Sequence, residues 1–276
     1  MEASGLSLLA AASWGGGDFA GGLASKRASV FRVVAVAHGC GLVAILAMAL
    51  LSGEAVPPGS ALRWGAFAGL VGAFGIAALY RALAIGRMGV IAPVAAVVTG
   101  LLPVLVGIRT EGMPDAVQLC GFALALVSIG LVARPSEYVD SHRGVGLAVL
   151  AGISFGLFLI AGKQAGHHGV FWPLVTARMV STALMVMIVA FSPRDAQPLR
   201  PVLWPVALSG LLDSAGNALF IAATRHGRLD VAAVLSSLYP ASTVILARFL
   251  LKEKIDKLQA IGIVCAITSI ALIAVR

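Results

Sequence analysis

The stretch DAVQLCGFALALVSIGLVA at residues 115–133 recurs as DKLQAIGIVCAITSIALIA at residues 256–274, an offset of 141 residues. Both copies begin with aspartate, continue with Gln-x-x-Gly and carry a Ser-Ile pair near their ends. The same offset relates Gly86-Arg87 to Gly227-Arg228. The chain is therefore predicted to contain a duplicated unit. Because both copies are too apolar for water, this build is typical of membrane transport proteins.

The composition places the chain in a membrane. Of its 276 residues, 59% are hydrophobic and 12% are charged, with a mean hydropathy of +0.99, whereas soluble domains carry about 25% charged residues. The apolar runs are continuous and about 20 residues long, as in membrane-spanning helices, and do not alternate as in a barrel. The net charge of +8 is spread over many short loops, so nucleic acid is not an expected partner. The three cysteines lack metal-ligand spacing, and we expect no metal and no cofactor.

Ten apolar runs are separated by charged connectors or by connectors that contain glycine or proline. They lie at residues 6–25, 30–51, 63–84, 89–108, 115–133, 144–163, 170–191, 201–224, 229–249 and 257–275. We predict an all-α integral membrane protein with ten transmembrane helices in two inverted five-helix repeats, at residues 1–134 and 144–276, joined by a linker at 135–143. With five spans per repeat, the second copy enters the membrane from the opposite side, which inverts it.

The stretch LSSLYPASTVILARFLLKEKIDKLQAIG at residues 235–262 resembles the EamA family of the drug/metabolite transporter superfamily. The family pattern is a Tyr-Pro or similar pair in mid-span, a glutamate at the helix end, and a Gln-x-x-Gly that opens the last span. In this sequence these are Tyr239-Pro240, Glu253 and the segment 259–262. The first half repeats the pattern more loosely, with its proline displaced to Pro103.

The start of the chain carries a second resemblance, because SWGGGDF at residues 13–19 is similar to the family's Trp-Gly-x-x-Phe start, with extra glycines. The resemblance extends over the whole chain and implies a secondary transporter of small metabolites, often an exporter, with a cavity between its halves. It also implies a multi-pass protein of the cytoplasmic membrane with both termini in the cytoplasm. The count of basic residues in the connectors favours the opposite orientation, with both termini outside.

Ionisable residues inside the predicted spans are the first site candidates, because charges there are costly and usually functional. They include Asp18, His38, Arg178 and Asp213. Asp213 shares a helix face with Asn217, four residues further on. We rank Asp213 first, for proton coupling or for holding a cationic group of a substrate. The alternative is a permanent ion pair with Arg178 that only joins helices.

Three further candidates have weaker support. Asp18 follows three glycines, so it is predicted to line a cavity beside a local break or to bond a donor on a neighbouring helix. His38 has the chemistry of a proton shuttle but equally that of a packed histidine. Lys163 lies at the end of the sixth predicted span.

Aromatic residues complete the candidate site. Trp14, Tyr80 and Tyr239 are predicted to supply the walls of a small-molecule cavity. The alternative for each is packing, or a position at the membrane interface.

The sequence thus predicts alternating-access transport of a small polar or amphipathic metabolite through a midplane cavity lined by spans 1, 3, 4, 6, 8 and 9. Energy would come from protons or a counter-substrate, because the sequence has no G-x-x-x-x-G-K-[ST] loop for ATP. The expected partners are the lipid bilayer, a small-molecule substrate and, in one alternative, protons. The chain is expected to be a monomer or a homodimer.

Two alternatives remain open at the level of sequence. One is a membrane-embedded enzyme that uses Asp213 and Arg178, and the other is a non-transporting scaffold or receptor. The G-x-S-x-G match at residues 152–156 lies inside an apolar run, where a nucleophile elbow cannot form, so we expect no hydrolase.

Overall fold

A computed structural model describes residues 2–86, 88–132, 144–192, 198–250 and 257–274. Throughout these ranges the regular secondary structure is helical. The helices are α1 (Glu2–Ser25), α2 (Val30–Leu51), α3 (Gly59–Ile85), α4 (Met88–Glu111), α5 (Ala116–Val132), α6 (Val145–Gly166), α7 (Phe171–Phe191), α8 (Leu203–His226), α9 (Leu229–Ser236), α10 (Tyr239–Leu250) and α11 (Lys257–Ala274), with a short 3-10 turn at Arg200–Val202. The predicted linker at 135–143 and Glu253 lie outside the described residues.

Some of these helices are long and apolar enough to cross a membrane. Within the described ranges, six helical segments are long and apolar enough to cross a bilayer: Val30–Leu51, Gly59–Ile85, Val94–Glu111, Val145–Gly166, Phe171–Phe191 and Arg200–His226. The segments Ala116–Leu131 and Ala260–Ile273 are apolar but shorter. The chain is therefore a helical, multi-pass membrane protein, and the number of ten spans stays a prediction.

The distribution of side chains agrees with a lipid environment. Large apolar side chains face outward, as at Leu51, Phe191 and Trp204, which are 83%, 88% and 74% exposed. Alanine is the most frequent residue among the buried hydrophobic side chains of the described segments. Small residues inside and large apolar residues outside are expected where lipid supplies no hydrophobic force between helices and close packing must join them.

The ninth predicted span, residues 229–249, is not one helix. α9 ends at Ser236 and α10 begins at Tyr239. Pro240 explains the break, because its ring would clash with the carbonyl group of Ser236, four residues earlier, and it has no N–H to donate. The prediction of a continuous helix is wrong here, and the correction places Ser237 at a bend.

The repeated motif joins the two copies. The α5 copy begins with Asp115, whose side chain accepts a hydrogen bond from the backbone N–H of Gln118 at 2.8 Å, an N-cap interaction. α5 packs against α11, and the Ser128 hydroxyl group donates to the carbonyl oxygen of Gly262 at 2.7 Å. The shared residues therefore build the contact between the last helices of the two halves.

Helix contacts between the two halves occur in equivalent pairs. The offset of 141 residues relates α1, α2 and α3 to α6, α7 and α8. Accordingly, α1 packs on α8 and α6 packs on α3, while α2 packs on α8 and α7 packs on α3. The equivalent glycines Gly69 and Gly210 touch the backbone of Ala177 and Ala37, respectively, and leave no room for a side chain. The duplication in sequence is thus also a duplication in packing, and most strong contacts cross from one half to the other.

Candidate functional site

A cavity of about 690 Å³, its open mouth included, is formed by both halves of the chain. Its walls come from α1, α2, α3 and α4 of the first half, and from α6, α7, α8 and the bend between α9 and α10 of the second. The predicted walls omitted α2 and α7. His38 on α2 and Arg178 on α7 correct this, because both line the cavity.

Arg178 and Asp213 form an ion pair between α7 and α8 at the cavity wall. Their side chains are 7% and 20% exposed. The sequence left open whether Asp213 is free or paired, and the structure gives the paired geometry. Such a pair neutralises two largely buried charges, so removal of either one would leave the other uncompensated.

Asp18 is the second carboxylate in the cavity. The residue is 8% exposed and lines the cavity together with Asp213. Within the described residues, Asp18 has no hydrogen-bond donor or ion-pair partner, in contrast to Asp213. With the acidic side chains ionised and His38 neutral, the described lining carries one more negative than positive charge.

Two more polar groups in the lining have no partner in the described part of the chain. They are the Nδ1 atom of His38 and the hydroxyl group of Ser237, and their residues are 4% and 3% exposed. Buried polar groups are almost always hydrogen-bonded in folded proteins. Unpartnered groups at a cavity wall are therefore positions where a ligand or water can bind.

Aromatic side chains supply the apolar part of the wall. The indole N–H of Trp14 donates to the side-chain oxygen of Asn217 at 2.9 Å, which joins α1 to α8 across the two halves. The hydroxyl group of Tyr239 donates to the carbonyl oxygen of Ala92 at 3.3 Å, and the residue lines the cavity. Phe155 and Phe158 on α6 also line it. Sequence reasoning missed both phenylalanines, because nothing distinguishes them from other apolar residues of that helix.

The structure brings together seven of the nine candidates and places the other two elsewhere. The cavity is lined by Trp14, Asp18, His38, Arg178, Asp213, Asn217 and Tyr239. Tyr80 is buried behind the wall, against Gly21, with its hydroxyl group 2.7 Å from that of Ser209. Lys163 forms an ion pair with Glu111 and is not part of the lining.

A group of charged residues, which we name the polar clasp, joins the halves at one end of the bundle. It consists of Glu111, Lys163, Arg228 and Asp230. Glu111 pairs with Lys163 and accepts the backbone N–H of Leu229 at 3.1 Å, at the N-terminus of α9. Arg228 donates to the carbonyl oxygens of Glu111 and Gly112 at 3.0 and 2.7 Å. Hydrogen bonds to the Asp230 carboxylate raise the pKa of Arg228 and keep it charged.

Glu54 forms a similar link beside the clasp. Its carboxylate accepts the backbone N–H groups of Val170 and Phe171 at 2.9 and 3.0 Å and so caps α7 of the other half. Gly227, next to Arg228, packs against Ala3 at the start of α1. The clasp therefore lies at the end of the bundle where α1 begins. The sequence analysis named its member Lys163 as a candidate but did not predict the group.

The G-x-S-x-G match does not have the geometry of a nucleophile elbow. Ser154, of the G-x-S-x-G match, lies within α6 and is not at a strand-to-helix elbow. Among the residues that the structure describes, no group of three His, Cys, Asp or Glu side chains could hold a metal ion.

A chain with two similar halves, lipid-facing apolar side chains and a charged cavity lined by both halves has the build of a membrane transporter. The model of the EamA-like transporter family matches it twice, at residues 3–134 and 142–275. The chain belongs to the EamA-like transporter family, of the drug/metabolite transporter superfamily. Members of this family are transporters, which favours transport over the enzyme and scaffold alternatives.

Two individual proteins add to this comparison. Protein LicB of Haemophilus influenzae is 32% identical over 95 residues, which cover 34% of this chain and 32% of LicB. The match thus spans about a third of the length of that relative. One protein solved by crystallography has the same fold, with a TM-score of 0.77 at 19% sequence identity, over 99% of this chain and 96% of the other.

Proposed function

We propose that this chain is a secondary active transporter that exports a small metabolite or drug-like solute across the cytoplasmic membrane by alternating access. The observation that carries the proposal is the cavity, because both halves line it and buried charges from α1, α7 and α8 converge there. Charged residues inside membrane proteins usually mark the path of a substrate or an ion. In a family of transporters, such a cavity is the natural substrate site.

The proposed architecture is ten spans in two inverted repeats. The equivalent helix contacts that the two halves make with each other support two similar units. Rocking of one unit against the other would expose the cavity to each side in turn. The termini are placed in the cytoplasm, as the family resemblance implies, so the polar clasp would close the cytoplasmic end.

The proposed driving force is proton exchange or exchange with a counter-substrate. The ionisable groups needed for either are present in Asp18, Asp213 and His38, which share the cavity with Arg178. A transition between two open states requires the clasp contacts of Glu111 with Lys163 and Leu229 to break, because they join the halves. Each of these interactions is small enough to be broken by the differential binding of a substrate.

The test is a flux measurement with purified protein in liposomes. Vesicles are loaded with a mixture of small metabolites and amines, and release is followed by mass spectrometry. We expect selected solutes to leave faster than from protein-free vesicles, and this excess to fall in Asp213→Asn. Equal release of every solute from both kinds of vesicle would contradict the proposal. The matched control for Asp213→Asn is Glu2→Gln, which also removes one negative charge but lies on the exposed surface of α1.

A further inference from the structure

The unpartnered groups in the cavity define what a ligand must offer. In its ionised form Asp18 presents two carboxylate oxygens, which only accept hydrogen bonds, and the residue is 8% exposed. The hydroxyl group of Ser237 and the Nδ1 atom of His38 are buried and have no hydrogen-bond partner in the described part of the chain. A ligand that donates hydrogen bonds to Asp18 would satisfy the most costly of these groups.

Charge points to the same ligand. The guanidinium group of Arg178 is already bound by Asp213, so it is neutralised within the wall. Asp18 has no such partner in the described segments, and a buried ionised carboxylate is unfavourable until a proton or a bound cation neutralises it. A bound cation would restore neutrality, whereas a bound anion would have to displace Asp213 from Arg178 and would face two carboxylates.

The remaining wall suits an organic body. Trp14, Phe155, Phe158 and Tyr239 line the cavity together with several small apolar residues. Aromatic faces attract cations and also bury hydrocarbon. The wall therefore favours a cation with apolar or aromatic carbon over a hydrated metal ion, which prefers a shell of several oxygen ligands.

We propose that the cavity binds small organic cations with a protonated amine, and that Asp18 anchors the ammonium group. The N–H groups of the amine donate to the Asp18 carboxylate and to Ser237, and the carbon body lies against the aromatic wall. This inference rests on the proposed function and deepens it, because it names the substrate class. It also assigns to Asp18 the anchoring role for which Asp213 was ranked first in the sequence analysis.

The experiment uses four matched probes on the purified full-length protein. They are phenethylammonium, its neutral isostere phenethyl alcohol, the anion phenylacetate, and phenethyltrimethylammonium, which is charged but has no N–H donor. Binding is measured by isothermal titration calorimetry in nanodiscs. We expect phenethylammonium to bind at least tenfold more tightly than the alcohol, about 1.4 kcal/mol, with the trimethyl probe between them and phenylacetate weakest.

Variants then locate the anchor. Asp18→Asn should remove the tenfold preference for phenethylammonium over the alcohol, and Ser237→Ala should weaken phenethylammonium about threefold without an effect on the trimethyl probe. Glu2→Gln removes a carboxylate from the exposed part of the same helix and should bind as the wild type does. If Asp18→Asn does not fold, the probe order in the wild type and the retained preference of Asp18→Glu decide the question.

Three results would overturn the assignment of substrate class. They are equal binding of the ammonium and the alcohol, tighter binding of phenylacetate, and no binding of phenethylammonium.

Flux separates this proposal from the previous one. Selective binding of the ammonium without flux of any solute contradicts transport alone. Flux of neutral or anionic solutes that Asp18→Asn leaves unchanged contradicts the substrate class alone.

Discussion

The carboxylate of Asp213 on α8 is bound by the guanidinium group of Arg178 on α7, at the wall of the cavity. Asp18 on α1 lines the same cavity without a partner in the described residues. The two carboxylates therefore have different surroundings. Asp213 neutralises Arg178, and Asp18 is the carboxylate that we propose as the anchor for a ligand.

The pair predicts a characteristic pattern of stability. Arg178→Gln alone leaves Asp213 buried without its partner and should lower the free energy of unfolding by about 3 kcal/mol. The double variant Arg178→Gln/Asp213→Asn should recover most of that loss, because no uncompensated charge remains. The measurement is chemical denaturation of the purified variants in one detergent. Additive losses in the double variant would show that the two side chains do not depend on each other.

Close packing of glycine gives a second prediction, with its control on the same helix. A Cβ atom built on Gly41 would lie 3.0 Å from the carbonyl oxygen of Gly210 and against the Ser214 hydroxyl group, whereas one on Gly39 would meet nothing within 4 Å. Gly41→Ala should therefore lower the melting temperature, through overpacking of about 1–3 kcal/mol. Gly39→Ala should be neutral or stabilising by up to about 1 kcal/mol. Equal effects at both positions would contradict the close approach of α2 to α8.

The sequence was sufficient for the parts of the fold that depend on composition and repetition. The apolar runs predicted helices in a membrane, and the repeat at 115–133 and 256–274 predicted two similar units. It could not predict that α9 and α10 are separate, although Pro240 was visible, because tertiary packing often lets proline remain inside a membrane helix. α4 shows this, since it stays continuous through Pro93 and Pro103.

The candidate site was predictable in its charges, and the pair of Asp213 with Arg178 was one of two alternatives that the sequence left open. Burial cost identified Asp18, Arg178 and Asp213, and all three line the cavity. Which carboxylate is paired depends on how α7 and α8 meet, and the spacing of residues along one helix does not contain that information. Tyr80 and Lys163 differ from the prediction for the same reason, because contacts with Ser209 and Glu111 hold them outside the lining.

The polar clasp predicts a local effect on backbone dynamics. Glu111→Ala removes the acceptor for the N–H group of Leu229 and the partner of Lys163. The rate of amide hydrogen exchange in the first turn of α9 should then rise about tenfold, because the turn loses one hydrogen bond to a charged group. The first turn of α7, which Glu54 caps, should exchange as in the wild type.

The reciprocal variant is the control for that measurement. Glu54→Ala should speed exchange at Phe171 and leave α9 unchanged. If Glu111→Ala raised exchange equally at both helix N-termini, the variant would have loosened the whole bundle, and the clasp would not be a local contact.

The bend between α9 and α10 predicts that a variant without Pro240 binds the ligand more weakly without a loss of stability. Pro240→Ala restores a backbone donor and removes the clash with the carbonyl group of Ser236, so the two helices can join. The melting temperature should rise or stay the same, while phenethylammonium binding weakens severalfold, because Ser237 and Tyr239 leave their positions at the cavity wall. Pro103→Ala on α4 is the matched control, since Pro103 is buried in a continuous helix and is not part of the lining. Calorimetry on both variants checks this, and unchanged binding in Pro240→Ala would mean that the bend does not shape the site.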